Sequence, residues 1–368
     1  MTSCPDAYIS RLALKHNFDQ IKDASGDDAK IMCAVKGNAY GHGIVEAIKI
    51  LTKADGYAVA RLSEAKILRD LGVKKPITLL GGFATVEELR EAVYFNCDIV
   101  IHNLNQIEQL KSQSSNFDSI ACWLKIDTGM NRLGIKFTHA FDAISKLETI
   151  SCVKKISLMT HLSDAEDKKS LKNTIQLKIF RDLTDGFSGD ISFANSATIF
   201  NCKELIKSHK WNNKGDVWVR PGLALYGVSP IINKSAKQLN LKPVMQFVSK
   251  LIAVRSINKG ESVGYNSSWQ SKNDTNIGVV SVGYGDGYSK SLISGTMVFI
   301  NGREVPLVGL VSMDLISIDL GPNTKDSIGD EVVLWGEQLP VEKVANYSNL
   351  TTYALVTGVS ERVQRKVR

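Results

Sequence analysis

The sequence of 368 residues predicts a (β/α)8 barrel followed by a second, mainly β domain. Up to about residue 230, eight short apolar segments alternate with amphipathic segments, and eight such β-then-α units are enough to close a barrel. From about Asn233, segments of alternating polarity are separated by turn signals such as Asn258-Lys259-Gly260, which is typical of an antiparallel sheet. The length of the chain also favours two domains.

We place the barrel domain at residues 1–235 and the β domain at residues 236–368, with the polar segment 233–242 as the linker. An open, doubly wound sheet is the alternative, but eight repeats without a Gly-x-Gly-x-x-Gly turn favour the barrel. The predicted barrel strands are 31–36, 57–60, 77–81, 98–101, 121–127, 155–161, 190–195 and 217–220, and helices include 44–53, 63–71, 85–93 and 167–184. The predicted strands of the β domain are 243–254, 277–282, 296–300, 305–311, 315–320 and 331–335.

The composition is that of an ordinary globular protein. The net charge of +7 comes from Lys and Arg that are scattered among acids, so we expect neither a nucleic-acid nor a membrane partner. Six cysteines without a Cys-x-x-Cys pair indicate reduced thiols, and six dispersed histidines give no metal site. With no secretory signal and no apolar run that could span a bilayer, we expect a cytoplasmic protein.

Lys36 is the residue that most directly indicates the chemistry of this protein. It follows the apolar segment 31–35, where burial would disfavour the ammonium and lower the pKa of the side chain. An amine of this kind is nucleophilic and forms C=N bonds with carbonyl compounds, pyridoxal phosphate (PLP) among them. Tyr40 follows closely, with a hydroxyl suited to a phosphate oxygen. The structural alternative is a lysine that extends from a strand end into solvent.

Further polar residues stand at the ends of other predicted barrel strands, and in a barrel these ends share one face. The last two loops offer a hydroxyl and the glycine-opened run Pro221-Gly222-Leu223, which can hold a dianion without a lysine. Except for Arg220, each residue also has a purely structural explanation, as a core histidine, a helix cap or a surface ion-pair partner. The residues are Arg132, His161, Asn195, Ser196 and Arg220.

Several sequence blocks resemble those of the alanine racemase family. The block 34–43, Ala-Val-Lys-Gly-Asn-Ala-Tyr-Gly-His-Gly, is similar to the family's lysine signature, although Gly37 stands where the family usually has alanine. Thr352-Tyr353-Ala354 also departs from the more usual Pro-Tyr-Glu. The other similar blocks follow in order over nearly the whole chain, and they begin at Lys125, Ala194, Val219, Val263, Val282 and Ser312.

The resemblance implies a PLP-dependent enzyme that interconverts L-alanine and D-alanine and supplies D-alanine for peptidoglycan. Lys36 and Tyr265 would be two bases on opposite faces of the substrate. A tyrosine needs activating neighbours to act as a base near neutral pH. His161 and Arg220 would be these neighbours, with Arg220 also at the cofactor's pyridine nitrogen. Because a guanidinium keeps its own proton, that nitrogen would stay unprotonated.

The resemblance also implies the remaining site residues and a homodimer whose active sites are shared between subunits. Lys125 matches a lysine that is often carbamylated in the family, where it orients Arg132. The implied cofactor-binding residues are Lys36, Tyr40, Arg132, Asn195, Ser196, Arg220, Gly222, Leu223 and Tyr353. The implied substrate-binding residues are Arg132, Met313, Asp314 and Tyr284.

Other readings of the same residues remain open. A racemase of serine or of a broader set of amino acids would use the same fold. A PLP-dependent amino-acid decarboxylase of this architecture would be expected to carry an acid at the position of Arg220 and a catalytic cysteine in the β domain, and this chain has no cysteine after Cys202. A non-catalytic PLP carrier would lack the β domain.

Overall fold

The computed structural model describes residues 4–207 and 211–368, in which strands and helices alternate before mostly strands follow. The strands are β1 (Asp6–Ile9), β2 (Lys30–Ala34), β3 (Gly56–Val59), β4 (Ile77–Leu79), β5 (Asp98–Ile101), β6 (Ile120–Asp127), β7 (Ile135–Lys136), β8 (Val153–Met159), β9 (Ile191–Asn195), β10 (Val217–Arg220), β11 (Met245–Ile257), β12 (Ser262–Val263), β13 (Trp269–Gln270), β14 (Thr275–Val280), β15 (Met297–Ile300), β16 (Arg303–Val308), β17 (Ile316–Gly321), β18 (Glu331–Trp335) and β19 (Gln364–Val367).

The helices are α1 (Arg11–Ser25), α2 (Lys36–Tyr40), α3 (Ile44–Ile50), α4 (Leu62–Asp70), α5 (Val86–Tyr94), α6 (Leu104–Ser112), α7 (Ala140–Glu148), α8 (Leu171–Thr184), α9 (Ser196–Asn201), α10 (Lys203–Lys207), α11 (Val341–Ala345) and α12 (Thr352–Thr357). Short 3-10 helices lie at Ser114–Asn116, Phe137–His139, Leu223–Tyr226, Lys237–Leu239, Tyr265–Ser267 and Tyr284–Asp286. Among the described helices, none is long and apolar enough to cross a membrane.

Eight parallel strands close into a barrel, as the sequence predicts. The strands β2, β3, β4, β5, β6, β8, β9 and β10 pair in this order, and β10 pairs with β2 to complete the ring. The two-stranded extension β7 lies beside β6. Because each βα loop leaves a parallel strand at its C-terminal end, all these loops gather at one mouth of the barrel.

The second domain is a closed, mostly antiparallel sheet. The long strand β11 pairs with β18 near its start and with β14 near its end, so that β11, β14, β17, β16, β15 and β18 form a ring. The predicted β strands of this part are therefore confirmed. Left-handed φ values at Asn301 (44°) and Gly302 (82°) form the predicted turn between β15 and β16.

Two features of the chain's local structure differ from the sequence analysis. The strand β1, within the segment that we assigned to the barrel, pairs with β11 and β19 and extends the second sheet. Its partners lie far along the chain, so no local signal reveals the pairing. The predicted strands 31–36, 77–81 and 155–161 end two residues earlier, and at the first of these Val35 leaves the extended region with φ −116° and ψ 13°.

The floor of the barrel, opposite the mouth, holds a half-buried carboxyl group. Burial raises the pKa of Asp98 to about 6, the Asp190 carboxylate adds to the rise, and Trp123, Lys155 and Arg69 oppose it. The Lys155 ammonium lies 2.6 Å from the Asp190 carboxylate. Ionised Asp98 is therefore a cost to the folded state.

Replacing Asp98 by asparagine should stabilise the fold in a pH-dependent way. Because the folded pKa lies above the unfolded value, the Asp98 contribution is most favourable below about pH 4 and is lost as the pH rises through about 6. We expect Asp98→Asn to raise the free energy of unfolding by about 1–3 kcal/mol at pH 8 and to change it little at pH 4. Urea unfolding across this pH range measures it, and an equal effect at both ends would contradict the assignment.

Candidate functional site

The mouth of the barrel collects cationic side chains from several strands. Lys36 lies two residues beyond the end of β2, Lys125 lies in β6, and Arg220 is the last residue of β10. The charges of Arg220, Arg132 and Lys36 all act on Lys125, which places these four groups together. The structure thus brings side chains from three separate parts of the barrel to one point.

Burial and neighbouring cations lower the pKa values of Lys36, Lys125 and His161. Burial and the cations of Arg132 and Arg220 lower the pKa of Lys36. Burial, together with Arg220, Arg132 and Lys36, lowers the pKa of Lys125 to about 8. Burial and the same cations lower the pKa of His161 to about 3, so that its imidazole is neutral. The mouth therefore combines an amine that is readily deprotonated with an excess of positive charge, and it suits an anionic ligand.

The backbone after Lys36 turns in the left-handed sense. Gly37, Asn38, Ala39 and Tyr40 have φ values of 63°, 53°, 54° and 53°. Each non-glycine residue in this conformation costs about 1–2 kcal/mol. Such strain persists only where the surroundings enforce it, and it is concentrated at functional sites. The sequence analysis predicts a polar loop here. Gly37 and Asn38 favour this handedness, but nothing in the pattern shows that Ala39 and Tyr40 share it.

Contacts from both domains hold this left-handed turn. The Asn38 side-chain oxygen accepts a hydrogen bond from the Ile44 backbone N–H at 2.8 Å. The Arg365 side chain, from the second domain, donates to the Gly41 carbonyl oxygen at 3.2 Å. A Cβ atom at Gly41 would lie 1.9 Å from the Val356 carbonyl oxygen, so this close approach requires glycine. The left-handed turn after Lys36 is thus packed between the barrel and α12.

Ser196, Gly222 and Tyr40 form a small polar cradle at the last two barrel loops. The Ser196 hydroxyl oxygen accepts hydrogen bonds from the backbone N–H groups of Gly222 at 2.8 Å and Ala224 at 3.3 Å. A Cβ atom at Gly222 would lie 2.5 Å from the Tyr40 hydroxyl, so only glycine leaves room there. The Ser196 hydroxyl accepts both of these bonds and keeps its own proton to donate, so two hydroxyl donors beside a glycine-opened backbone fit a phosphate.

Tyr353 lies beside this cradle, and Leu223 begins the 3-10 helix that follows Gly222. The Tyr353 ring is 6.1 Å from the Tyr40 ring between centroids, and Tyr40 also stacks on Tyr226 at 5.1 Å. Burial raises the pKa of Tyr40, which keeps its hydroxyl protonated as a hydrogen-bond donor. The structure therefore brings together all five residues that were expected to bind a phosphate group, including Tyr353 from the second domain.

Arg220 is buried and fixed by groups that the sequence analysis missed. Its guanidinium donates hydrogen bonds to the Ser192 hydroxyl and, at 2.6 Å, to the Thr160 carbonyl oxygen. Burial lowers its pKa to about 10, so it remains a cation at neutral pH. The Thr160 hydroxyl lies 2.8 Å from the Thr128 hydroxyl. Arg220 is thus held in one orientation across the barrel interior.

Gln176, on α8, ties two active-site loops together. Its amide nitrogen donates to the Thr128 hydroxyl and to the His161 carbonyl oxygen, both at 3.2 Å. Its amide oxygen accepts from the Ser163 backbone N–H at 2.9 Å. It fixes the loop that leads to Arg132 and the loop that carries His161. A polar residue among the buried positions of an amphipathic helix is the one signal that could have identified it.

Asn195 is occupied in the helix-capping role that the sequence analysis weighed. Its side-chain oxygen accepts hydrogen bonds from the Thr198 backbone N–H at 2.9 Å and from the Thr198 hydroxyl at 3.0 Å. It therefore caps the N-terminus of α9 and fixes the backbone at Ser196. Its predicted contact with a cofactor stays a prediction.

In the part of the chain that the structure describes, no hydrogen bond or ion pair is found between the cations of the mouth and the other predicted residues of the β domain. Tyr265 is 68% exposed, and no hydrogen bond of its hydroxyl is found within residues 4–207 and 211–368. Met313 is 53% exposed, and its carbonyl oxygen accepts a hydrogen bond from the Gly285 N–H beside Tyr284. Asp314 pairs with Arg362 at 2.7 Å. Tyr284, Met313 and Asp314 thus form one exposed surface.

The fold and the site define a two-domain barrel enzyme with a reactive lysine and an anion cradle at its mouth. The family model described as alanine racemase, N-terminal domain, matches residues 9–230, and the alanine racemase C-terminal domain model matches residues 244–367. A curated alanine racemase of Photobacterium profundum is 42% identical over 360 residues, which is 97% of each chain. One of Vibrio parahaemolyticus is 43% identical over 97% of each chain.

Solved structures agree with these matches. Biosynthetic alanine racemase from Pseudomonas aeruginosa superposes with a TM-score of 0.92 at 34% identity over the whole of both chains. Alanine racemase from Bartonella henselae, a structure described with covalently bound pyridoxal phosphate, superposes at 0.87 with 27% identity over 99% of each chain. The chain belongs to the alanine racemase family, and it is an isomerase.

Proposed function

We propose that this protein interconverts L-alanine and D-alanine with PLP bound through Lys36. The observation that supports this most strongly is the pairing of a lysine of lowered pKa with a phosphate-type donor set at the same barrel mouth. When bound, PLP would act as an electron sink that makes the α-proton of an amino acid acidic. Among curated relatives 42–43% identical over nearly their whole length, the shared activity is that of alanine racemase.

The residues at the mouth divide into cofactor-holding and substrate-holding groups. Lys36 would bond covalently to the cofactor aldehyde, and Arg220 would face its pyridine nitrogen. Arg132 would meet the ring oxygen and the substrate carboxylate, where the cationic mouth favours an anion. The phosphate would lie in the cradle, and the residues proposed for it are Tyr40, Ser196, Gly222, Leu223 and Tyr353.

Lys125 has the properties that carbamylation requires. A lysine takes up carbon dioxide only as the free amine, and a pKa of about 8 makes that form accessible near neutral pH. The carbamate would replace one of the mouth's positive charges by a negative one. Because Lys125 and Arg132 interact electrostatically, that new charge would orient the Arg132 guanidinium.

Two bases must act on opposite faces of the α-carbon, and we assign them to Lys36 and Tyr265. The Lys36 amine would take or return the proton on one face. Tyr265 is exposed on the β domain, so we propose that it serves the mouth of a second copy of the chain. The surface with Tyr284, Met313 and Asp314 would then cover the same mouth. This arrangement makes the protein a homodimer with shared sites.

The physiological setting follows from this activity. D-alanine is a component of peptidoglycan, and we propose that this enzyme supplies it from L-alanine in the cytoplasm. All six cysteines are free, as expected of a protein from a reducing compartment. No nucleic-acid or membrane partner is part of the proposal.

The test is an assay of every L-amino acid with the purified, PLP-loaded protein. We expect D-alanine to form fastest from L-alanine, with chiral chromatography as the readout. Borohydride reduction beforehand should abolish the activity, and peptide mapping should place the reduced cofactor on Lys36. Preference for serine or for many amino acids would establish the broader racemase, and release of carbon dioxide would establish a decarboxylase.

A further inference from the structure

Glu64, which no sequence motif singled out, connects α4 to the backbone beside Lys36. One carboxylate oxygen accepts hydrogen bonds from the backbone N–H groups of Ala60 at 2.7 Å and Arg61 at 3.1 Å. The other oxygen accepts a hydrogen bond from the Gly37 N–H at 2.6 Å. Gly37 is the first residue of the left-handed turn. A single carboxylate therefore joins the end of β3 to the residue directly after the lysine.

The second of these contacts is not part of ordinary helix capping. Glu88 occupies the corresponding third position of the neighbouring helix α5, and its carboxylate accepts a hydrogen bond from the Ala84 N–H at 2.7 Å. Both glutamates thus cap their helices in the same way. The bond to Gly37, 27 residues away along the chain, is what distinguishes Glu64.

Glu64 also places a negative charge beside the cations that surround Lys36. Among the charged groups of the described residues that shift the pKa of Lys36, Glu64 is the one carboxylate, and it opposes the effects of Arg132 and Arg220. Lys125 and His161 face Lys36 as well, and both are linked to it electrostatically. Without Glu64, the charged groups among the described residues that shift the pKa of Lys36 would all be cations.

We propose that Glu64 is a positioning residue for Lys36, since its carboxylate fixes the turn from which the lysine reaches the mouth and balances the surrounding positive charge. This inference rests on the proposed role of Lys36. Glu64 is not among the residues proposed to hold cofactor or substrate, and its hydrogen bonds go to backbone N–H groups. Its effect is transmitted through the Gly37 backbone and through the electrostatic field at the amine.

The test compares Glu64→Gln with the matched control Glu88→Gln, each as full-length apoprotein titrated with PLP. The glutamine at position 64 removes the charge, and its amide group can accept at only one of the two places where Glu64 accepts. We expect its affinity for PLP to fall by about tenfold, because losing one of the two contacts releases the turn that carries Lys36. The rate at which Lys36 attaches to PLP is followed by absorbance over a range of pH. We expect the midpoint of this pH profile to lie about half a unit lower than in the wild-type protein. Glu88→Gln should leave both quantities unchanged.

A third variant separates the effect of the Glu64 charge from the effect of its contacts. It also keeps the test decisive if Glu64→Gln fails to fold. Glu64→Asp keeps the charge but is too short to span both contacts, so we expect weaker PLP binding with the wild-type pH midpoint. Thermal unfolding reports loss of the helix cap, which both glutamine variants share. If neither position-64 variant differs from Glu88→Gln in PLP affinity and pH midpoint, the inference is wrong. If the wild-type protein itself attaches no PLP at Lys36, the proposed function fails instead.

Discussion

Replacing Lys36 by alanine should abolish both covalent attachment of PLP and racemisation. In our proposal the amine bonds to the cofactor and is also the base on one face of the substrate. We expect turnover to fall by at least about a thousandfold, since a positioned base alone contributes 10²–10⁴-fold. Borohydride reduction followed by peptide mapping measures attachment, and D-alanine formation measures turnover.

A distant surface lysine provides the control for this variant. Lys53 is exposed and pairs only loosely with Asp19, at 3.7 Å. Lys53→Ala should retain full attachment and turnover. The neighbouring Lys125 is the alternative site of cofactor attachment, because its own lowered pKa makes it nucleophilic. Reduced cofactor on Lys125 in wild-type protein, or undiminished turnover in Lys36→Ala, would overturn the assignment of Lys36.

The barrel and the β domain could be predicted because their signals are local. Apolar segments at regular spacing mark each barrel strand, and alternation with turn residues such as Asn301-Gly302 marks the second sheet. Strand β1 could not be found in this way, because its partners β11 and β19 lie at the other end of the chain. Pairings of this kind depend on the tertiary structure and not on local pattern.

The same distinction applies to the site. Lys36, Ser196 and Arg220 stand at strand ends, where position along the chain already implies a shared face. Gln176 and Glu64 gave no such signal, because they lie inside helices whose patterns look ordinary. Only their long-range hydrogen bonds reveal them. In the left-handed turn after Lys36, residue preference favours the conformation at Gly37 and Asn38 but not at Ala39 and Tyr40, and Gly41 packs against α12.

Replacing Tyr265 by phenylalanine should stop racemisation while sparing the attachment of PLP. The hydroxyl is the proposed base on the face opposite Lys36, and the ring is exposed on the β domain. We expect a loss of about 10²–10⁴-fold in turnover with an unchanged yield of reduced cofactor on Lys36. The remaining base should still exchange the α-proton of one enantiomer for solvent deuterium without inversion, which mass spectrometry and chiral chromatography together detect.

Mixed dimers of these two inactive variants test whether the sites are shared. Co-expression of Lys36→Ala and Tyr265→Phe chains with different affinity tags allows doubly tagged dimers to be isolated. If Tyr265 serves the mouth of the other subunit, each mixed dimer contains one site with both substitutions and one site with neither. We therefore expect about half of the wild-type activity to return. If each chain instead used its own Tyr265, both sites would lack one base, and the mixed dimer would be as inactive as its parents.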